Sequence, residues 1–310
     1  MSSKKQIRLD KAVSDISKLS RNKSRKLIES GTVFVNGRVC FKHGLITTED
    51  DEIVISENIE PIILRPELVE RNKNIRNLIK VIFEDEYIIV LNKPSMIHSV
   101  RIDKSEQVTV ADLLASISSD YLNSSPSELE AGLVNRIDFY TSGLIVAAKS
   151  KDVWKLMSKK FKTNSVEKNY IALVEGNPKL EILECFIKLE KNKERVKTFP
   201  INKNLEDIKN NANLLSCSLK IERIENFNKF SLVEIKAKHL VRHQIRAIFS
   251  EFNHPLVGDE IYNSRYSLTE AMGIDGIDKI NLESRPGFYL ECRQIKFEHP
   301  ILEEITEINL

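Results

Sequence analysis

The chain has 310 residues, 41% of them apolar and 30% charged. That is enough for about two water-soluble domains with real cores, at the usual ~100–200 residues each. No apolar run approaches the ~20 residues a membrane span needs, and no apolar stretch follows the opening Met-Ser-Ser-Lys-Lys-Gln-Ile-Arg. The expected compartment is therefore the cytoplasm, with no membrane partner. Cys40, Cys185, Cys217 and Cys292 are scattered, and no two share metal-ligand spacing, so neither a zinc site nor a disulfide framework is expected. Net charge is only +2, but residues 1–48 hold 11 Lys and Arg against 3 acids. A compact basic segment on a nearly neutral chain faces either water or a polyanion.

Taken in order, Ile7, Leu9, Val13 and Ile16 predict a helix over residues 7–18 with one apolar face. Ser20 is a good N-cap for a second helix running to about Glu29, on which Arg21, Arg25 and Lys26 form a basic ridge. Thr32–Val35, Asn36-Gly37 and Arg38–Phe41 read as a hairpin with a two-residue turn, and Glu52–Ile55 as a last short strand. Two small helices and a basic hairpin, carried by Arg8-Leu9-Asp10-Lys11, Ser20-Arg21 and Ile28–Gly37, resemble the S-four RNA-binding domain. The resemblance covers about residues 7–55 and implies that the second helix and hairpin, with Arg21, Arg25, Lys26 and Arg38, lie against structured RNA. Such phosphate contacts add affinity with little sequence choice.

Residues 56–77, interrupted by Pro61 and Pro66, read as a linker, which gives domains at 1–55 and 78–310. Ile79–Phe83 and Tyr87–Asn92 are strand segments around a Glu-Asp-Glu turn. Thr109-Val-Ala-Asp112 has capping-box form and starts a helix to about Ile117. Asp120–Glu130 reads as a loop. Leu144–Ala148 is one buried strand, and Val153, Trp154, Met157 and Phe161 set the inner side of a following helix. Tyr170–Val174 is a strand ended by Gly176, and more strands follow between Ile182 and Ala237, with a polar loop near Lys191–Asn213. His243–Phe252 reads as a helix, and strands return near Phe288–Phe297. Strands outnumber helices and neighbour one another in antiparallel fashion, which favours an α+β domain.

Between the first of these strands and helices lies Asn135-Arg136-Ile137-Asp138-Phe139-Tyr140-Thr141-Ser142-Gly143-Leu144. On an extended segment Arg136 and Asp138 point the same way, with Ile137 toward the core. A carboxylate beside a fixed turn is either a turn cap or a reactive group. Five further stretches stand in order around it: Lys93-Pro94-Ser95, Lys168-Asn169-Tyr170-Ile171-Ala172-Leu173-Val174, His243-Gln244-Ile245-Arg246, His254–Asp259 with Tyr262, and Phe297-Glu298-His299-Pro300. Together they resemble the RluA group of RNA pseudouridine synthases over about residues 78–310. The resemblance implies a mixed, largely antiparallel sheet with flanking helices.

It also implies an isomerase that detaches uracil from ribose, turns it and rejoins it through carbon, with no redox step, cofactor or metal. Cleavage at the anomeric carbon builds positive charge on the sugar, and a poised carboxylate lowers that barrier. By the resemblance, Asp138 is that carboxylate and Arg246 its ion-pair partner. Tyr170 stacks on the flipped base, and stacking contributes ~1–3 kcal/mol per base. Arg136 supports the displaced nucleotide, while Arg242 and His243 contact RNA. The expected substrate is ribosomal RNA of the large subunit and the expected state a monomer. His243, His254 and His299 lack ligand spacing and are given structural or RNA-contact roles. Asn135, Leu240-Val241-Arg242 and Leu290-Glu291-Cys292 depart from the group's pattern, which bears on substrate contacts. Two rivals stay open. One is a silent RNA-binding or ribosome-assembly factor on the same scaffold. The other is a sugar hydrolase, which needs a second acid facing Asp138.

Overall fold

The computed structural model describes residues 6–29, 32–55, 64, 66, 69, 78–102, 108–179, 181–189, 194–201, 214–238, 240–272, 274, 277 and 286–310. Most of the expected linker, 56–77, lies outside these, as do the side chains of Arg38 and Val39.

In the N-terminal unit, helices α1 (Leu9–Ser17) and α2 (Arg21–Glu29) pack on a three-stranded antiparallel sheet. Its strands are β2 (Val33–Val35), β3 (Arg38–Val39) and β5 (Ile53–Ile55), in the order β3-β2-β5. Asn36 and Gly37 both have positive φ, as a two-residue hairpin turn requires. The first helix starts two residues later than the periodicity predicts. Ile7 is taken instead by a short strand, β1 (Ile7–Arg8), paired with β4 (Ile46–Thr47). Leu9, Val13, Ile28, Val33 and Val35 form the core, whereas Ile16 is 53% exposed, off the face expected of it.

The basic ridge is not free-standing. Asp10 is fully buried and accepts hydrogen bonds from Arg8, Arg21 and Arg25 at 3.0–3.3 Å. Burial alone would raise its pKa, but the three guanidiniums outweigh burial and hold the carboxyl well below its ordinary value. A carboxylate with a depressed pKa stabilises the fold fully above its ordinary pKa near 3.8, and that stability drains away as pH falls below it. Asp10→Asn should therefore cost on the order of 2 kcal/mol at pH 7, limited because the arginines are half-exposed and re-solvate. The gap between variant and wild type in urea unfolding should narrow by pH 3. A gap that stays constant with pH would contradict this account.

The larger unit is built on one ten-stranded sheet. In chain order its first strands are β6 (Lys80–Glu84), β7 (Ile88–Lys93), β8 (Ser142–Ala148) and β9 (Glu167–Glu175). Then come β10 (Ile182–Lys188), β11 (Lys197–Pro200), β12 (Leu214–Phe227), β13 (Phe230–Ala237), β14 (Leu290–Glu298) and β15 (Ile305–Asn309). The order across the sheet is β11-β10-β12-β13-β9-β14-β8-β7-β6, with β15 also on β14. Every ladder is antiparallel except β14 with β8, where Glu291 and Cys292 meet Ser142 and Gly143 in parallel. This short ladder is the seam between two half-sheets. It explains Gly143, which has φ +107 and whose Cβ, if present, would lie 2.3 Å from the Cys292 carbonyl oxygen.

Helix α3 (Val110–Ile117) carries the expected capping box from Thr109 and Asp112. Helix α4 (Lys151–Lys162) buries Val153, Met157 and Phe161, and helix α5 (Gln244–Glu251) packs over β10 and β11. A short α6 (Leu268–Met272) covers the far face beside Val257 and Tyr289. Two expected loops carry more structure than predicted. Single 3-10 turns span Ser119–Asn123 and Glu128–Glu130, and β11 interrupts the polar stretch 191–213. Four residues ending in Pro200 on a sheet edge are too few to show an alternating pattern. Among the described residues no helix is long and apolar enough to cross a membrane.

Candidate active site

The segment 133–141 leaves the sheet, carries Asp138 and returns as β8. At its start Val134 donates to the Val146 carbonyl, and Asn135 Oδ1 accepts the Val146 amide at 2.9 Å. The departure at Asn135 thus supports the loop backbone. Both sides of Asp138 are then pinned by residues 93–99. Ser99 Oγ donates to the Ile137 carbonyl at 3.0 Å and accepts the Ile137 amide at 3.2 Å. Buried Lys93 donates to the carbonyls of Pro94, Ile97 and Phe139, and Ser95 to that of Tyr140. The Thr141 amide closes onto the Asp138 carbonyl at 3.1 Å. Ile137, expected to face the core, is only half-buried, and its backbone is held on both sides by Ser99.

Met96 completes this clamp by donating its amide to the Phe139 carbonyl at 2.8 Å, and it does so at φ +63. A left-handed conformation costs a residue with a Cβ about 1 kcal/mol. Met96→Gly removes that cost and returns part of it as chain entropy, so Tm should rise by roughly 1–2 °C. A lower Tm on thermal melting would show that the methionine side chain itself packs.

Arg246, on the first turn of α5, is buried and reaches two carboxylates. Its Nε and Nη2 donate to Asp259 Oδ2 and Oδ1 at 2.6 and 2.9 Å, and Nη1 donates to Asp138 Oδ2 at 3.0 Å. The Phe288 and Tyr262 rings lie 4.4 and 5.0 Å from its Cζ. Burial works against its charge, but Asp259 and then Asp138 raise its pKa above the ordinary arginine value. Asp259 thus fixes the guanidinium plane, leaving one edge for Asp138. The Asp138 side chain keeps 28% of its surface open to solvent, so a substrate can reach it.

Tyr170 lies beside this pair and feels the Asp138 charge, but only 4% of it is exposed. Burial and then Cys292 push its pKa well above the ordinary value. Its hydroxyl bonds to the Cys292 thiol, which burial pushes up to about 12. Both groups are neutral at pH 7.

The structure thus brings Asp138, Arg246 and Tyr170 together. Arg136 and Arg242 are exposed near them. His243, expected in a structural or RNA-contact role, is 14% exposed with Nε2 3.9 Å from Asp138 Oδ2. In the N-terminal unit Lys26 is exposed, Arg21 and Arg25 reach back to Asp10, and the side chain of Arg38 lies outside the described residues. His254 meets the Glu175 carbonyl and His299 meets Asp85, and the four cysteines are unbridged. Among the described residues no group of three or more His, Cys, Asp and Glu could hold a metal ion. Sequence reasoning gave no role to Asp259, Tyr262, Phe288 or Ser99. The signal for the first two was present, since both belong to the stretch beginning at His254.

The family model for RNA pseudouridylate synthase matches residues 87–251, and that for the S4 domain matches residues 7–53. This chain belongs to the RNA pseudouridylate synthase family. It is an isomerase acting on RNA, with an S-four domain at its N-terminus. It is 30% identical over 300 residues to an uncharacterized RNA pseudouridine synthase of Helicobacter pylori, covering 96% of this chain and 84% of that one. Over 306 residues it is 29% identical to an uncharacterized RNA pseudouridine synthase of Synechocystis, with the same two coverages. The ribosomal large subunit pseudouridine synthase D of Borreliella burgdorferi is 32% identical over 220 residues, covering 69% of this chain and 62% of that protein. The fold is shared with a solved human RNA pseudouridylate synthase domain containing protein, at TM-score 0.56 and 20% identity over 79% of this chain and 92% of that one. The α+β architecture expected of the catalytic unit is the one found.

Proposed function

We propose that this synthase converts uridines of large-subunit ribosomal RNA to pseudouridine, with Asp138 as the reactive carboxylate. The observation that carries the reading is the half-open Asp138 carboxylate, held through one oxygen by a guanidinium that Asp259 has already oriented. Charge develops at the ribose as the glycosidic bond breaks, and a fixed anion there needs no reorganisation. Arg246 orients the carboxylate, and the small exposed part of the Tyr170 ring meets the flipped uracil. Arg136 supports the vacated stack, while Arg242 extends the basic rim. Extrusion of a base costs a few kcal/mol, which such contacts offset. The domains run 1–55 and 78–310 with a linker between. The N-terminal unit, through Lys26, Arg38 and the exposed parts of Arg21 and Arg25, adds salt-sensitive affinity for RNA phosphates.

Ribosomal RNA is favoured by the Borreliella relative, a ribosomal large subunit pseudouridine synthase by name. The protein works as a cytoplasmic monomer without cofactor. The hydrolase alternative needs a second working acid facing Asp138. The nearest buried acid, Asp259, has both oxygens engaged by Arg246. Tritium release from uridine-labelled ribosomal RNA tests the activity, and pseudouridine maps of ribosomal RNA with and without the gene product test the substrate. Release absent from every RNA would end the enzyme reading. Identical ribosomal maps alongside a changed transfer RNA map would end the ribosomal one.

A further inference from the structure

Resting on the reading of Asp138 as the reactive carboxylate, we propose that His243 is a positioning residue. As a neutral imidazole it aims its Nε2–H at Asp138 Oδ2 and leaves Oδ1 as the atom that meets the nucleoside. His243 is the residue before α5 and has φ +58, a conformation that turns its ring into the protein; its side chain is 14% exposed. The two ring nitrogens face different groups. Nδ1 lies 3.2 Å from the Tyr262 hydroxyl oxygen, and Nε2 lies 3.9 Å from Asp138 Oδ2.

The tautomer follows from counting protons. The buried Tyr262 hydroxyl accepts the Val196 amide at 3.0 Å. Its own single proton then needs an acceptor, since a buried donor is rarely left without one. His243 Nδ1 is in reach and takes it. With the proton on Nδ1 instead, two donors would crowd one oxygen while the tyrosine proton pointed at no acceptor. The hydrogen of the neutral ring therefore sits on Nε2, the nitrogen that faces Asp138.

The groups around His243 keep it neutral. Burial comes first, and Arg246 and Arg242 add to it, against the opposing pull of Asp138 and Asp259; the net effect lowers the imidazole pKa below 6.5. Tyr262 remains a phenol, because burial raises its pKa. Asp138 Oδ2 thus has Arg246 Nη1 at 3.0 Å and the imidazole N–H behind it. The 3.9 Å gap is longer than a hydrogen bond, and catalytic contacts of this kind tighten when substrate seats. Both donors draw on one oxygen, so the lone pairs of Oδ1 stay available at the open side of the carboxylate.

The experiment is nitrogen-15 histidine NMR on the full chain at pH 7, with the His243 signal identified by its loss in His243→Gln. The expected result is a neutral ring protonated on Nε2. An Nδ1-protonated ring or an imidazolium would overturn the proposal. In kinetics, His243→Leu should lower kcat roughly tenfold to a hundredfold with KM for RNA nearly unchanged. His243→Gln, which keeps a donor near the Nε2 position, should recover part of the loss. Tyr262→Phe removes the hydroxyl that holds Nδ1 as an acceptor and should let both tautomers appear in the nitrogen-15 spectrum. A raised KM with unchanged kcat in His243→Leu would make the residue an RNA contact and defeat the idea. Wild-type protein that makes no pseudouridine would defeat the Asp138 reading instead, and the NMR result would stand apart from it.

Discussion

Asp138→Asn should abolish tritium release from uridine-labelled RNA, by at least about 10⁴-fold in kcat, while RNA binding and folding persist. The amide has nearly the shape of the carboxylate and can still accept the Arg246 Nη1 hydrogen bond through its oxygen. What it lacks is the negative charge that meets the developing cation at the ribose. Little of the fold depends on that charge: Asp259 still holds Arg246 through two bonds, the loop is held by the Ile137, Phe139 and Tyr140 backbone, and the Asp138 side chain is partly open. The comparison is therefore clean. Circular dichroism and filter binding should match wild type. Release retained within tenfold would exclude Asp138 as the reactive group, whatever else the protein does.

Arg246→Lys should lower kcat by about 10²–10³-fold and destabilise the catalytic unit by about 3 kcal/mol. A lysine has one compact ammonium and cannot span Asp259 with two parallel bonds while keeping a third for Asp138. Asp259 is almost fully buried, so a poorly matched partner leaves a charge without its hydrogen bonds. Asp259→Asn should reproduce much of the kinetic loss, because the guanidinium then rotates between its two aromatic walls. Denaturant unfolding and steady-state kinetics on both variants check the two effects separately. Full activity in Asp259→Asn would mean that Phe288 and Tyr262 alone orient Arg246.

The stretches that carry the candidate site were legible as short ordered motifs, and the roles of their residues were implied by the resemblance to the RluA group. Thr141-Ser142-Gly143 marks a turn beside Asp138 without deciding its role, and the requirement at Gly143 is real: no side chain fits against Cys292. The capping box at Thr109 and the hairpin at Asn36-Gly37 are local as well, and both formed as written. What the sequence hides is long-range pairing. Asp259 lies 13 residues from Arg246 and Ser99 lies 38 from Ile137, and no periodicity links them. His243 reads as one more basic residue before a helix, and only its φ of +58 turns the ring inward. Arg21 and Arg25 read as an exposed ridge because a fully buried Asp10 cannot be told from a surface one by spacing. Short edge pieces such as β1, β4 and β11 carry too few residues to leave an alternating trace.

The two partners of the central ion pair grow from opposite sides of the seam. Asp138 hangs ahead of β8, while Arg246 stands on the helix over β10 and β11, and the backbone joins those sides through two residue pairs of β14 with β8. On the proposed role of Asp138, a polypeptide whose halves have each formed but not docked could hold RNA and still be unable to detach uracil from its ribose. If Asp138 is the reactive carboxylate, the arrangement makes docking of the two half-sheets a precondition of reactivity.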